Sequence, residues 1–306
     1  MLLESKQYSR ALETLRKYDA FIADKRLALL YTAQSLDALQ RRDEAKAVWA
    51  ELVRRNTADK VAIFGWLHFD PATPTMTTQQ FAKLKHLQRM YADSSLIQRL
   101  VLDYCPAESE EEQIEFTFWV DAYLRKQLDR GVPSLLVDVK NLCQPGTKKN
   151  KIIFERMQSY IAALTSDASF GPRPRQTASL ELELEGFHIA EEGGKVRDTS
   201  DALLWTWHFL AQWYDVQGDT AQALATIEKA IALSAEMVEP QMIRAKILKR
   251  AGALTRAAEE MDKARCLDLN DRFINTKSAK YAMRCNDVTK AESDVILFTR
   301  VQFILV

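Results

Sequence analysis

The sequence predicts an all-α protein, a right-handed solenoid of antiparallel helix pairs, and three observations support this. Small residues recur every 34 residues, as at Ala223, Ala257 and Ala291. Residues that suit a left-handed turn recur at the same interval, at Gly218, Gly252 and Asn286. Between these recurring residues, apolar residues occur every three or four positions, which is the period of a helix face. A 34-residue period with two amphipathic helices per unit is the tetratricopeptide signature, and such units stack into an α-α superhelix.

The unit that begins near residue 201 shows why this spacing gives paired helices. At about 100° per residue, Trp207, Leu210 and Tyr214 fall on one face of a first helix. Ala223 and Ile227 do the same on a second helix. The alanine allows close approach of the two helix axes, which a larger side chain would push apart. Because one hairpin cannot bury its own apolar face, several units must stack.

The first 56 residues carry the same period. Ala11 and Ala45 occupy one position in successive units, and Trp49 and Leu52 share a helix face with Ala45. Almost no room is left for a first helix before Lys6, so we expect the sequence to begin inside a repeat. We also expect the last repeat to be truncated, because residues 301–306 are apolar where a solenoid normally ends in a polar cap.

After residue 56 the period fails, but the apolar pattern predicts further helices. Residues 70–75 form a proline-containing break, and Thr77 or Thr78 suits the N-cap of the helix that follows. The acids at 108–112 favour the positive end of another helix. The predicted helices are 60–70, 77–92, 96–104, 108–130, 135–142 and 151–165.

Residues 166–200 contain two glycine- and proline-rich runs, 171–174 and 193–194, which are typical of an exposed linker. Within it, leucine alternates with glutamate over 180–185, which fits a short strand, although both residue types also favour helix. We therefore divide the chain into N-terminal helical repeats that degenerate after residue 56 (1–165), a linker or insertion (166–200) and three tetratricopeptide repeats (201–306).

Composition gives little support to several classes of function. The 306 residues are 47% apolar and 27% charged with a formal net charge of zero, so whole-molecule charge does not argue for nucleic acid. No apolar run of 18 residues and no export signal occurs, so we expect neither a membrane span nor secretion. The cysteines lack metal-site spacing, and a cytoplasmic, reducing location would keep them as free thiols. They are Cys105, Cys143, Cys266 and Cys285.

The sequence also lacks the usual catalytic motifs. None of the four histidines belongs to an HExxH motif or has a second histidine at helical ligand spacing. No glycine-rich phosphate loop and no GxSxG nucleophile motif is present. We therefore predict neither an enzyme active site nor a metal site.

The pattern does predict a binding surface, because the first helices of stacked pairs line the concave groove of a solenoid. The segment 244–290 contains twelve Lys or Arg against six Asp or Glu. Such an excess favours a polyanion or an acidic partner, although single cations often only solubilise a helix. The predicted binding cations are Lys246, Lys249, Arg250, Arg272, Lys277, Lys280 and Arg284, and the predicted groove aromatics are Trp205 and Phe273.

Several stretches go beyond a generic repeat. The run 239–292 contains Ala251-Gly252, Met261-Asp262 and the sequence DRFIN at 271–275, and WTWHFLAQWYD precedes it at 205–215. These stretches resemble the large auxiliary subunit of the N-terminal acetyltransferase A (NatA) complex, and weaker similarity covers most of the chain. The 166–200 segment departs from that family's pattern.

The resemblance implies an all-helical superhelix without catalytic residues of its own. Such a subunit wraps around a small catalytic acetyltransferase, positions it for nascent chains and helps attach it to the ribosome. Some members bind inositol hexakisphosphate between the two subunits through basic side chains. The residues that match are Lys246, Lys249, Arg250, Arg272, Lys277 and Lys280.

A general tetratricopeptide adaptor that clamps acidic peptide tails is the alternative. Such clamps need asparagine and lysine at fixed groove positions in consecutive units. This chain has Gln212 and Lys246 where those clamps favour asparagine. Co-purification with a small acetyltransferase would separate the two functions.

Overall fold

The structure is a computed structural model, and it describes residues 2–176 and 196–296. Within these ranges the regular structure consists of fifteen α-helices and two short 3-10 helices, without any strand. The predicted all-α fold class is therefore confirmed. The leucine and glutamate alternation at 180–185, for which a strand was considered, lies outside the described residues. None of the described helices is both long and apolar enough to cross a membrane.

The chain forms two compact units, residues 1–106 and 107–306. The helices of the first unit are α1 (Tyr8–Lys17), α2 (Lys25–Ala38), α3 (Arg42–Arg55), α4 (Lys60–Leu67), α5 (Thr78–Met90) and α6 (Ser95–Tyr104), with a 3-10 turn at Asp19–Phe21. Thr77 caps α5 in a reciprocal capping box with Gln80, as one of the two predicted caps. Ala33 and Ala45 are fully buried where α2 and α3 pack, which fits the small residues of the predicted repeat.

The second unit begins with three helices that precede the regular repeats. They are α7 (Glu110–Asp129), α8 (Leu135–Val139), which continues as a 3-10 turn at Lys140–Leu142, and α9 (Lys148–Asp167). Ser109 and Glu112 form a capping box at the start of α7, and the acids of its first turn favour that end of the dipole. Helix α9 begins three residues before the predicted start, because the Thr147 hydroxyl accepts from the Asn150 amide and caps it.

Three helix pairs follow. They are α10 (Thr199–Gln217) with α11 (Thr220–Leu233), α12 (Val238–Arg250) with α13 (Leu254–Leu267), and α14 (Arg272–Arg284) with α15 (Val288–Ile296). Gly218, Gly252 and Asn286 all have positive φ, of 86°, 83° and 60°, in the turns between paired helices. The predicted turn residues are thus confirmed. The alanines at the repeat positions are buried between the helices, which permits the close approach that the sequence predicts.

Helices α7 and α9 are joined by a buried ionic network. The Asp121 carboxylate is 1% exposed and bonds Arg125 at 2.7 Å, Arg156 at 3.2 Å and the Tyr160 hydroxyl at 2.7 Å. Arg125 also donates to the carbonyls of Gly171 and Pro172. Two arginines and a phenol thus satisfy one carboxylate, as a buried charge requires.

Candidate anion-binding site on α12 and α14

Two neighbouring helices of the second unit carry the basic residues. Lys246, Lys249 and Arg250 lie within about 100° of one another around α12, since they are spaced i, i+3 and i+4. Lys277 and Arg284 are seven residues apart on α14 and therefore share a face of it. We call these five residues the basic cluster.

The Tyr281 ring joins the cations of the two helices. The Lys249 ammonium lies 5.5 Å from the centre of this ring, and the Arg284 guanidinium lies 5.9 Å from it. Both distances allow an attraction between a cation and an aromatic ring. Burial raises the pKa of the Tyr281 phenol, and the charges of Arg284 and Arg250 oppose that rise. The ring therefore stays neutral and supports two cations.

The cations of the cluster repel one another. Burial lowers the pKa of the Lys249 ammonium, and the charges of Arg284, Arg250 and Lys277 lower it further. The pKa of Lys246 is lowered by burial first and then by Arg250, with smaller contributions from Lys249 and Lys140. Positive charge is thus concentrated where water is partly excluded, which favours a bound anion.

The floor beside Lys246 is polar and buried. His208 of α10 is 3% exposed, and its Nδ1 lies 3.2 Å from the side-chain nitrogen of Gln212. Burial, and then the charge of Lys246, lower the pKa of His208 to about 4. The imidazole is therefore neutral near pH 7 and adds no charge to the cluster.

Among the described residues, Asp215 is the acid whose charge acts on the cluster. Asp215, in the last turn of α10, forms an ion pair with Arg250. Its carboxylate also raises the pKa of Lys246 and of Lys249, in opposition to burial and to the neighbouring cations.

Trp205 does not lie on an open surface, which corrects its prediction as a groove aromatic. The side chain is 7% exposed and packs against Gly131, and its ring meets the His208 ring edge to face at 5.2 Å. Helices α7, α8 and α9 pack on α10 and cover the face that the period predicts as open. His208 and Gln212 of the same helix are buried as well.

The remaining predicted site residues lie at the margin of the cluster. Phe273 is 57% exposed and its ring supports the Lys277 ammonium at 5.1 Å. Arg272 and Lys280 are exposed, and neither is among the charges that act on Lys246 or Lys249. Arg272 lies about 140° from Lys277 around α14, at about 100° per residue. The structure thus brings together five of the seven predicted cations.

The predicted site did not include Tyr281, Lys140 or Asp215, which the structure places near the cluster. Tyr281 has a signal in the sequence, because it lies four residues after Lys277 and three before Arg284 on one helix face. Lys140 comes from the 3-10 turn after α8, far away in the sequence, so no local pattern points to it. Asp215 pairs with Arg250 only because of how α10 and α12 pack, so its position in the sequence gives no signal of that pairing.

The site shows no metal-binding arrangement in the part of the chain that the structure describes, where no three His, Cys, Asp or Glu side chains are grouped to hold an ion. Stacked tetratricopeptide-type pairs that carry a cationic cluster over a neutral, buried floor define the class of protein. It is a helical-repeat protein with a basic face.

Comparison with known proteins identifies the family. The sequence profile of the family "N-terminal acetyltransferase A, auxiliary subunit" matches residues 1–303. The chain therefore belongs to the NatA auxiliary subunit family. The resemblance stated from the DRFIN stretch is confirmed.

Individual relatives agree with this assignment. Human N-alpha-acetyltransferase 16, NatA auxiliary subunit, is 31% identical over 98% of this chain and 32% of its own length. The NatA complex auxiliary subunit NAA15 of Arabidopsis thaliana is 29% identical over 98% of this chain and 31% of its own length. The chain thus spans about a third of the length of these curated relatives.

A solved structure shows the same fold. It is described as Naa15/Naa10 bound to HypK-THB, and a chain in it matches 99% of this chain with a TM-score of 0.77 and 28% identity. The match covers 41% of that longer chain. Its similarity supports the assignment of the chain to the tetratricopeptide-type superhelix class.

Proposed function

We propose that this chain is a non-catalytic scaffold that holds and positions the catalytic subunit of an N-terminal acetyltransferase. The observation that carries the proposal is the family match over residues 1–303, because the family consists of auxiliary subunits. The structural relative Naa15 is found with Naa10 in the same complex. The catalytic subunit is therefore the proposed partner of this chain.

The proposed reaction is co-translational N-α-acetylation of nascent chains. The scaffold contributes position rather than chemistry, since holding an enzyme near its substrate raises the effective concentration of one for the other. This role suits a cytoplasmic location and association with the ribosome, which are both part of the proposal.

The basic cluster is proposed as a polyanion site at the interface with the catalytic subunit. Its cations come from two helices, two of them contact the neutral Tyr281 ring, and the neighbouring charges add to burial in lowering the pKa of the Lys246 and Lys249 ammonium groups. A polyphosphate such as inositol hexakisphosphate would relieve this repulsion. Each charge-assisted hydrogen bond that it accepts would contribute roughly 1.5–3 kcal/mol.

Charge reversal within the cluster tests this proposal. Inositol hexakisphosphate is expected to raise the Tm of the wild-type chain, whereas the double variant Lys249→Glu and Arg250→Glu gains nothing from it. The variant is also expected to bind the catalytic subunit more weakly in a titration, with its helix content unchanged by circular dichroism.

The matched control reverses two exposed cations of the same unit that lie outside the cluster, Lys151→Glu and Arg256→Glu. It changes the net charge by the same amount, so it should keep both the stabilisation and the partner affinity. If the Lys249 and Arg250 variant bound the polyanion and the partner as tightly as wild type, the cluster would be an ordinary solvated surface without a role in binding.

A further inference from the structure

Asp215 is an acid in an environment of cations. Its carboxylate is 6% exposed and pairs with Arg250 of the adjacent pair. In the described part of the chain, it is the only carboxylate among the charges that shift the pKa of Lys246 or Lys249, and it opposes the lowering caused by burial and by the cations. One negative charge therefore acts on three members of the basic cluster.

The helix that carries Asp215 gives no reason for an acid at this position. Asp215 lies two residues before the end of α10, where the negative end of the helix dipole disfavours a carboxylate. The attraction that favours Asp215 here comes from α12, across the packing of two repeats.

We propose that Asp215 is a built-in counter-ion that stabilises the basic cluster when no ligand is bound and thereby lowers its affinity for a polyanion. The ligand part of this inference rests on the polyanion site proposed above. The stability part rests only on the repulsion among the cations.

Coulomb's law fixes the direction of the effect. The five cations and Asp215 together carry four net positive charges, and loss of the carboxylate leaves five. We take the anionic group of the ligand to lie about 7 Å from the position of the Asp215 carboxylate, with an effective dielectric constant of about 40. Loss of the carboxylate's unit charge would then strengthen the binding of that group about three- to tenfold at low ionic strength.

A purely geometric role for Asp215 predicts the opposite change in polyanion affinity when the carboxylate is removed. If the carboxylate mainly held Arg250 in its binding position, its loss would weaken binding. The Arg250 side chain is nearly half exposed, however, and an ion pair with an exposed arginine restrains that side chain only slightly. The loss of repulsive charge toward the ligand is therefore expected to dominate.

Two measurements on Asp215→Asn test the inference. In the absence of ligand, the variant should have a lower Tm than wild type at about 0.05 M KCl. Part of that deficit should vanish at about 1 M KCl, where the screening length is about 3 Å, because the Arg250 side chain is nearly half exposed. With inositol hexakisphosphate as the probe in isothermal titration, the variant should bind about three- to tenfold more tightly than wild type at low salt.

The control is Glu228→Gln, which removes a carboxylate that pairs with Arg244 at 3.0 Å, outside the cluster. It should leave the probe affinity at the wild-type value. A Tm deficit of Asp215→Asn that is independent of salt, or a probe affinity equal to or weaker than wild type, would overturn the inference.

The two proposals fail in different ways. If neither wild type nor Asp215→Asn binds the probe, the polyanion site and the ligand part of the inference both fall. The salt dependence of the Tm deficit then decides the counter-ion role alone: a deficit that salt reduces supports it, and one that salt leaves unchanged contradicts it.

Discussion

His208 is an imidazole that the fold keeps neutral. Burial lowers its pKa to about 4, with a further contribution from the charge of Lys246, whereas an unfolded chain has the ordinary value of about 6.5. Between about pH 6.5 and pH 4, His208 is therefore protonated in the unfolded chain and neutral in the folded chain. The stability that comes from this difference is complete above pH 6.5 and is lost as the pH falls toward 4.

We expect this one residue to remove about 3 kcal/mol of stability between pH 7 and pH 4. Urea unfolding at both pH values measures the loss, and His208→Phe should reduce it by about that amount. The control is His86→Gln, at an exposed position of the first unit, which should follow wild type. An equal pH dependence in wild type and His208→Phe would show that His208 titrates normally in the folded protein.

Gly131 places a second constraint on the same region. Its φ is +66°, and a Cβ at this position would lie 2.6 Å from Nε1 of Trp205. Gly131→Ala therefore combines a left-handed backbone cost of about 1–2 kcal/mol with overpacking of about 1–3 kcal/mol. Chemical denaturation measures the sum.

Gly146 provides the matched comparison. Its φ is +79°, and a Cβ there would meet nothing within 4 Å. Gly146→Ala should thus show the backbone cost alone. If the two alanine variants lost equal stability, the Trp205 side chain would have moved aside without cost, and its close packing on Gly131 would carry no energy.

The sequence predicted which charged residues lie together better than it predicted which residues are exposed. Lys246 lies near Lys249 and Arg250 because spacings of three and four residues bring side chains together on one helix face. Trp205 has the spacing of an open groove position, but three helices from earlier in the chain cover it. Such cover depends on contacts between distant segments, to which a 34-residue period is insensitive.

At the scale of helices, the buried Asp121 network connects α7 and α9 and can be tested by removing its carboxylate. Asp121→Asn would leave Arg125 and Arg156 partly buried without their carboxylate. Removal of one partner from a buried ion pair typically costs about 3–5 kcal/mol, so we expect a loss of that size in urea unfolding.

Glu155→Gln is the control for the Asp121 change. Glu155 is on α9, like Arg156, but its pair with Lys151 is exposed, at 3.8 Å, and exposed pairs contribute little. The urea midpoint of the Glu155→Gln variant should hardly differ from that of wild type. A similarly small effect of Asp121→Asn would mean that water or relaxation compensates the two arginines.

The sequence predicted the start of a helix correctly where capping or acidic residues at that start determine it. Thr77 caps α5, and the acids near Glu110 begin α7 as expected. The helix predicted for residues 60–70 ends earlier, at Leu67, because His68 takes a left-handed conformation with φ 50° that terminates it. Histidine at such a position is uncommon, so the sequence carried no clear stop signal there.

At the scale of the whole chain, the period predicted the three last helix pairs but gave no guide to the two compact units. The boundary lies after Pro106, inside the stretch where small residues no longer recur. Compactness arises from packing between segments, which the local pattern does not contain. The proposed linker at 166–200 stays a prediction, since residues 177–195 lie outside the described part.

We propose that this chain binds and positions a catalytic acetyltransferase without itself transferring acetyl groups. The test is size-exclusion chromatography of the chain mixed with its cognate catalytic subunit. Each fraction is assayed for acetyl transfer from acetyl-CoA to a peptide N-terminus. We predict that the chain alone is inactive, that the two proteins co-elute, and that the activity travels with the complex. Acetyl transfer by the purified chain alone, or separate elution of the two proteins, would contradict the claim.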